Sequence, residues 1–178
     1  DGIRDTSVTG VQTCALPISF LAGALQWLCA LNENLFPTRD TYLLVESALS
    51  MTLVTLGVRG HCQRTRCERL PRNLLPVAMV VYVMIAWHIV VNPHVGIKAA
   101  IVPTYAAATL FLSAWMILRY RERTRPAEWA TAIFIIIFGL TQIVSAGLGY
   151  QQGPTGESAL TDLYLHFDFL TLPAGYMT

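Results

Sequence analysis

A chain of 178 residues with 54% hydrophobic and 13% charged residues carries about half the charge usual for a soluble domain. Its net charge of +1, its mean hydropathy of +0.50 and its long uncharged stretches exclude a disordered chain, a nucleic-acid binder with a basic face and most soluble enzymes. Four cysteines are too few for a disulfide scaffold, so the composition points to an integral membrane chain in which lipid is the main partner.

The first eighteen residues, DGIRDTSVTGVQTCALPI, resemble the conceptual translation of a short-read sequencing adapter. A signal peptide is the rival reading, but Asp1 and Asp5 balance Arg4 and no initiating Met precedes them. Residues 1–18 are therefore set apart as an adapter-derived segment, and fold reasoning begins at Ser19.

A helix rising about 1.5 Å per residue needs about 20 apolar residues to cross a hydrocarbon core of about 30 Å. Segments 42–58, 74–91, 99–118 and 129–149 meet or nearly meet that length, and incomplete runs at 20–31 and 163–178 flank them. The expected fold is all-α: a polytopic bundle of about six transmembrane helices, the first and last cut short. Runs such as AMVVYVMIAW and AIFIIIFGL are apolar on every face, whereas a barrel strand alternates. A helix also satisfies its backbone within the segment, as lipid demands. Pro37, Pro71, Pro93, Pro126 and the Gly153, Pro154 pair fall between spans, and Pro76 falls in a first turn where its missing N–H costs little. Pro103 lies deeper and is expected to bend its helix slightly.

The loops set the orientation. Loop 59–72 holds Arg59, Arg64, Arg66, Arg69 and Arg72 against Glu68, and loop 119–128 holds Arg119, Arg121, Arg123 and Arg125 against Glu122 and Glu128. The alternate loops are poor in cations, with Arg39 alone in 32–41, Lys98 alone in 92–98 and none in 150–162. By the positive-inside rule both arginine loops are cytoplasmic, and the chain is directed back to the cytoplasm at its C-terminal end. Trp27, Trp87, Trp115, Trp129, Tyr42, Tyr120 and Tyr150 lie mostly toward span ends, as an interfacial belt would.

Catalytic signatures are missing: there is no hydrolase elbow, Walker loop, dinucleotide fingerprint, HExxH helix or paired CxxC. His61, Cys62 and Cys67 form a loose cluster that lacks a fourth ligand and the usual zinc spacing, so neither metal nor cofactor is expected. Ionisable or strongly polar groups inside spans are costly and mark functional candidates. These are Glu46, Gln142, His88 beside Trp87, and Asp162 and His166 four apart on one helix face, with Asp168 on another. Together they could line a polar pocket near the outer surface that binds a small ligand, senses pH or relays protons. Small residues at 106–108 and 145–147 permit close helix packing.

Four stretches carry a resemblance: LVTLGVRGHCQR, HIVVNPHVGIKAAIV, WMILRYRERTRPAEW and HFDFLTLPAGYMT. With them, residues 19–178 resemble the multi-helix membrane sensor region that precedes GGDEF domains in bacterial diguanylate cyclases. The resemblance implies an input module in a bacterial cytoplasmic membrane, responding to a small molecule or physical signal. It also implies a parent homodimer in which two GGDEF domains face each other to make cyclic di-GMP. On this resemblance the GGDEF loop and its inhibitory Arg-x-x-Asp site would lie beyond Thr178, so no catalytic residue is carried over and the chain itself is expected to be catalytically silent. A histidine-kinase sensor region is a close variant. A transporter or permease fragment is the alternative, which predicts inverted repeats, broken helices and midplane polar groups.

Overall fold

The computed structural model describes residues 15–64, 73–119 and 126–155. Among these the chain is helical throughout its regular structure, with no strand. The helices are α1 (Ala15–Leu31), α2 (Arg39–Arg64), α3 (Leu74–Val90), α4 (Val95–Arg119) and α5 (Pro126–Gln151), with a short 3-10 turn at Glu33–Leu35 between the first two. Three of them are long and apolar enough to cross a membrane: α2 over Arg39–Cys62, α4 and α5.

The expected count of six spans is therefore met only in part. Segment 74–91 does form an apolar helix, but α3 has 17 residues and extends about 26 Å, less than the hydrocarbon core. Its end is set by Pro93, which disfavours helical backbone at Asn92, and the N–H groups of Val91 and Asn92 both fold back onto the Trp87 carbonyl at 2.9 and 3.0 Å. Segment 20–31 lies within α1, which starts at Ala15, so residues 15–18 of the adapter-like string are helical and Ala15 is buried. Segment 163–178 lies outside the described residues, as do Arg66, Arg69, Arg72, Arg121, Arg123 and Arg125.

The predicted loops are shorter than expected, and Arg39, Arg119 and Glu128, assigned to loops by the sequence, also lie in helices. Helix α2 runs on through Arg64, so Arg59 and Arg64 belong to a helix and not to a loop. No proline lies between Pro37 and Pro71, and cations near a helix C-terminus complement its dipole. Helix α4 begins at Val95, which moves Lys98 from the predicted loop into the helix. Helix α5 opens with Pro126 at its first position and Glu128 in its first turn, both favourable there.

Helices α4 and α5 form the most extensive pair, α1 packs on α2, and α2 packs on both α3 and α4. Helix α2 runs parallel to α4: Thr55 and Tyr105 share a hydroxyl hydrogen bond of 3.0 Å, and farther along Val58 and Cys62 join Leu74 and Met116 in one buried cluster. A second cluster joins Met51, Ala78, Ile85, Ile89 and Tyr105. Helix α5 returns antiparallel to α4. Its buried residues Ala132, Ile135, Gly139, Gln142, Ser145 and Gly149 recur every three or four positions, the spacing of one helix face.

Small residues bring these two backbones together. A Cβ at Gly149 would lie 2.9 Å from the carbonyl carbon and oxygen of Ala99, and one at Gly139 would lie 3.0 Å from the Phe111 ring. Pro103 has no N–H to offer the Ala99 carbonyl, and Gly149 packs on that same peptide. The helix continues through Pro103 without a break.

Polar side chains between the ends are largely satisfied inside their own helices. Thr52, Thr104, Thr109, Ser113, Thr131 and Thr141 each bond a carbonyl three or four residues back, at 2.7 to 3.0 Å. The outer faces are strongly apolar: Val77, Val80, Val83 and Val90 on α3, and Ile133, Phe134, Ile137, Leu140, Ile143 and Val144 on α5, are exposed. Contiguous apolar surface of this extent suits lipid and not water.

Candidate functional site

Charged side chains gather at the end of the bundle formed by the start of α2, the end of α3, the start of α4 and the end of α5. It is called the Gly153 end below. The start of α2 is fixed by local chemistry. Thr38 caps it: its Oγ1 accepts the N–H of Thr41 at 3.2 Å and pairs with the Thr41 hydroxyl at 2.8 Å, while its carbonyl takes the Tyr42 N–H. Pro37 precedes the cap, and Phe36 meets Tyr42 edge-on with ring centroids 5.6 Å apart. That anchors Tyr42, and Glu46 follows one turn later on the same face.

Glu46 and Lys98 are both half-buried. Lys98 sits within electrostatic range of Glu46 and Asp40, which attract it, and of Arg39, which repels it. Tyr42 lies within electrostatic range of Glu46, Glu33, Cys29 and Arg39. Thus a carboxylate from α2 and an ammonium from α4 share one partly desolvated region, beside a phenol. This set can recognise a charged or zwitterionic group, or hold the two helices together by charge.

Of the sequence-derived candidates, Glu46 and His88 lie at this end of the bundle. His88 donates from Nδ1 to the Asn92 carbonyl at 3.3 Å, holding the turn after α3, while Trp87 points outward and is exposed. Gln142 is buried in the α4-facing stripe of α5, nine residues before its last residue and so about 14 Å deeper. Asp162, His166 and Asp168 lie outside the described residues. Among the cytoplasmic-loop candidates, Arg59 on α2 and Arg119 at the end of α4 are exposed. Cys62 is a core residue, 4% exposed; Cys67 lies outside the described residues, among which no three potential ligands gather around a metal position.

Sequence reasoning missed Lys98 as a member of the site, because the cation was assigned to a loop. The available signal was its distance from Pro93: five residues leave room for a cap and a first helical turn. It also missed Gly96. At that position a Cβ would lie 2.7 Å from the Tyr150 carbonyl oxygen, so only glycine admits the turn after α5.

An open apolar groove of about 430 Å³ runs between α3 and α4, lined by Val81, Met84, Ile101, Thr104, Ala108 and Tyr150 among others. No protein-family description, curated protein or solved structure matches the chain.

Proposed function

We propose that this chain is the signal-input module of a bacterial membrane signalling protein. In this reading the Gly153 end faces outward, and the output is a cytoplasmic GGDEF diguanylate cyclase domain that acts as a homodimer. The supporting observation is the distribution of charge. Arg39, Asp40, Glu46 and Lys98, with His88 and His94, occupy one end of the bundle, and Arg59, Arg119 and Glu128 the other. Between them the described helices carry only neutral polar groups, chiefly bonded to their own backbone or, as Thr55 and Tyr105, to each other. A path for moving a charged substrate would need partners at mid-depth. A module that registers a signal at one face needs them only there.

The test is to recover the parent reading frame from the source DNA and to measure cyclic di-GMP in cells expressing that whole protein. The expected result is a GGDEF segment after the last helix, and a cyclic di-GMP level that Glu46→Gln and Lys98→Met each change at least about twofold, a shift of about 0.4 kcal/mol in the output equilibrium. A frame that closes shortly after Thr178, or continues into further membrane helices, overturns the reading and favours a transporter.

A further inference from the structure

The start of α4 is closed off in an unusual way. The first four N–H groups of a helix have no acceptor within the helix, and a helix end in or near lipid cannot leave them bare. Here each has one. The His94 N–H donates to the His88 carbonyl at 3.3 Å, the Val95 N–H to the Pro154 carbonyl at 3.3 Å, and the Gly96 N–H to the Gly153 carbonyl at 2.8 Å. The Ile97 N–H donates to the side chain of His94, at Nδ1, over 3.2 Å. The α4 start is thus clasped between the end of α3 and the turn after α5. That turn is shaped by Gly153 at φ +70, a conformation glycine adopts without strain.

We infer that His94 is a proton-sensitive latch on this clasp, tightening the α3, α4 and α5 ends when neutral and loosening them when protonated. The donor to Nδ1 is a backbone N–H, so Nδ1 must carry a lone pair and the ring its proton on Nε2. A proton added at Nδ1 turns the acceptor into a donor aimed at a donor. It also places a cation at the positive end of the α4 dipole. Both effects act against the clasp, so it holds at higher pH and weakens as pH falls. His88 behaves oppositely. Its Nδ1 donates to the Asn92 carbonyl, a bond that survives protonation of the ring.

The charges nearby act in both directions. Lys98, one turn further along α4, and Arg39 on α2 oppose a proton on His94, whereas Asp40 and Glu46, the α2 carboxylates in range of Lys98, favour one. On α3 the neighbouring titratable group is His88, and the end of α5 brings Tyr150 and the uncharged Gln152. The inference needs only the fold and stands apart from the signalling reading.

Amide hydrogen exchange on the full chain in lipid nanodiscs, corrected for the intrinsic pH dependence of exchange, tests it. Protection at Val95, Gly96 and Ile97 is expected to fall about tenfold between pH 8 and pH 5, the scale of losing one cap and opposing a helix dipole. His94→Asn keeps a good capping acceptor that does not titrate, and should hold protection constant across that range. His88→Gln should retain the wild-type pH response. Constant protection in the wild type, or a pH response that persists in His94→Asn or vanishes in His88→Gln, overturns the latch. The wild-type and His88→Gln measurements decide the question even if His94→Asn does not fold.

Discussion

Gly149→Ala is expected to destabilise the chain by about 1–3 kcal/mol, while Gly147→Ala, two residues away on the same helix, changes stability by less than about 0.5 kcal/mol. The two positions differ in what an added methyl group meets. At Gly149 it meets the Ala99 peptide, which is backbone and cannot rotate aside, at 2.9 Å; at Gly147 there is open space. Relieving the clash means moving α5 away from α4 along the most extensive helix seam among the described residues. Reversible unfolding in mixed detergent and dodecyl sulfate micelles measures both variants. Equal effects would mean that the α4–α5 approach is looser than described.

The second large effect concerns charge. In a double-mutant cycle, Glu46→Gln and Lys98→Met are expected to couple by about 1 kcal/mol, so that the double variant is less damaged than the sum of the singles. Each single change leaves the other charge half-buried with one fewer compensating group, whereas removing both leaves two neutral side chains of similar size. The same unfolding assay reads the four corners of the cycle. A coupling below about 0.3 kcal/mol would show that Lys98 extends its ammonium to water independently of Glu46.

Much of the architecture was legible in the sequence because lipid leaves the chain few choices. An apolar run such as AIFIIIFGL must satisfy its own backbone, and a helix is the way a single segment can do so. Helix ends were less legible, for a definite reason. The start of α4 is decided by carbonyl groups of Gly153 and Pro154, far away in sequence, so local breakers pointed to a longer loop and misplaced Lys98. The end of α2 was placed too early because arginine was read as a loop signal, although Arg59 and Arg64 are compatible with a last helical turn.

The small residues show the same limit. Stretch 145–147 was correctly singled out for close packing at Ser145, which is buried, but Gly147 faces open space and the closest approach is made by Gly149. Which side of a helix a glycine serves depends on the partner, and no partner is visible in a single run of sequence. Of the candidate site, Glu46 and His88 were legible as polar groups in apolar surroundings. Lys98, His94 and Gly96 gained their roles only from packing between helices.

Sidedness of thiol labelling tests the central claim, a membrane bundle with its Glu46 and Lys98 end outside, most directly. In a background with the four cysteines replaced, single cysteines at the exposed positions Asn34, Asn92, Arg59 and Arg119 are treated with an impermeant maleimide on intact cells. Asn34→Cys and Asn92→Cys are expected to label at once, and Arg59→Cys and Arg119→Cys only after the membrane is opened. Labelling of all four positions from one side, or the reverse order, would contradict the account.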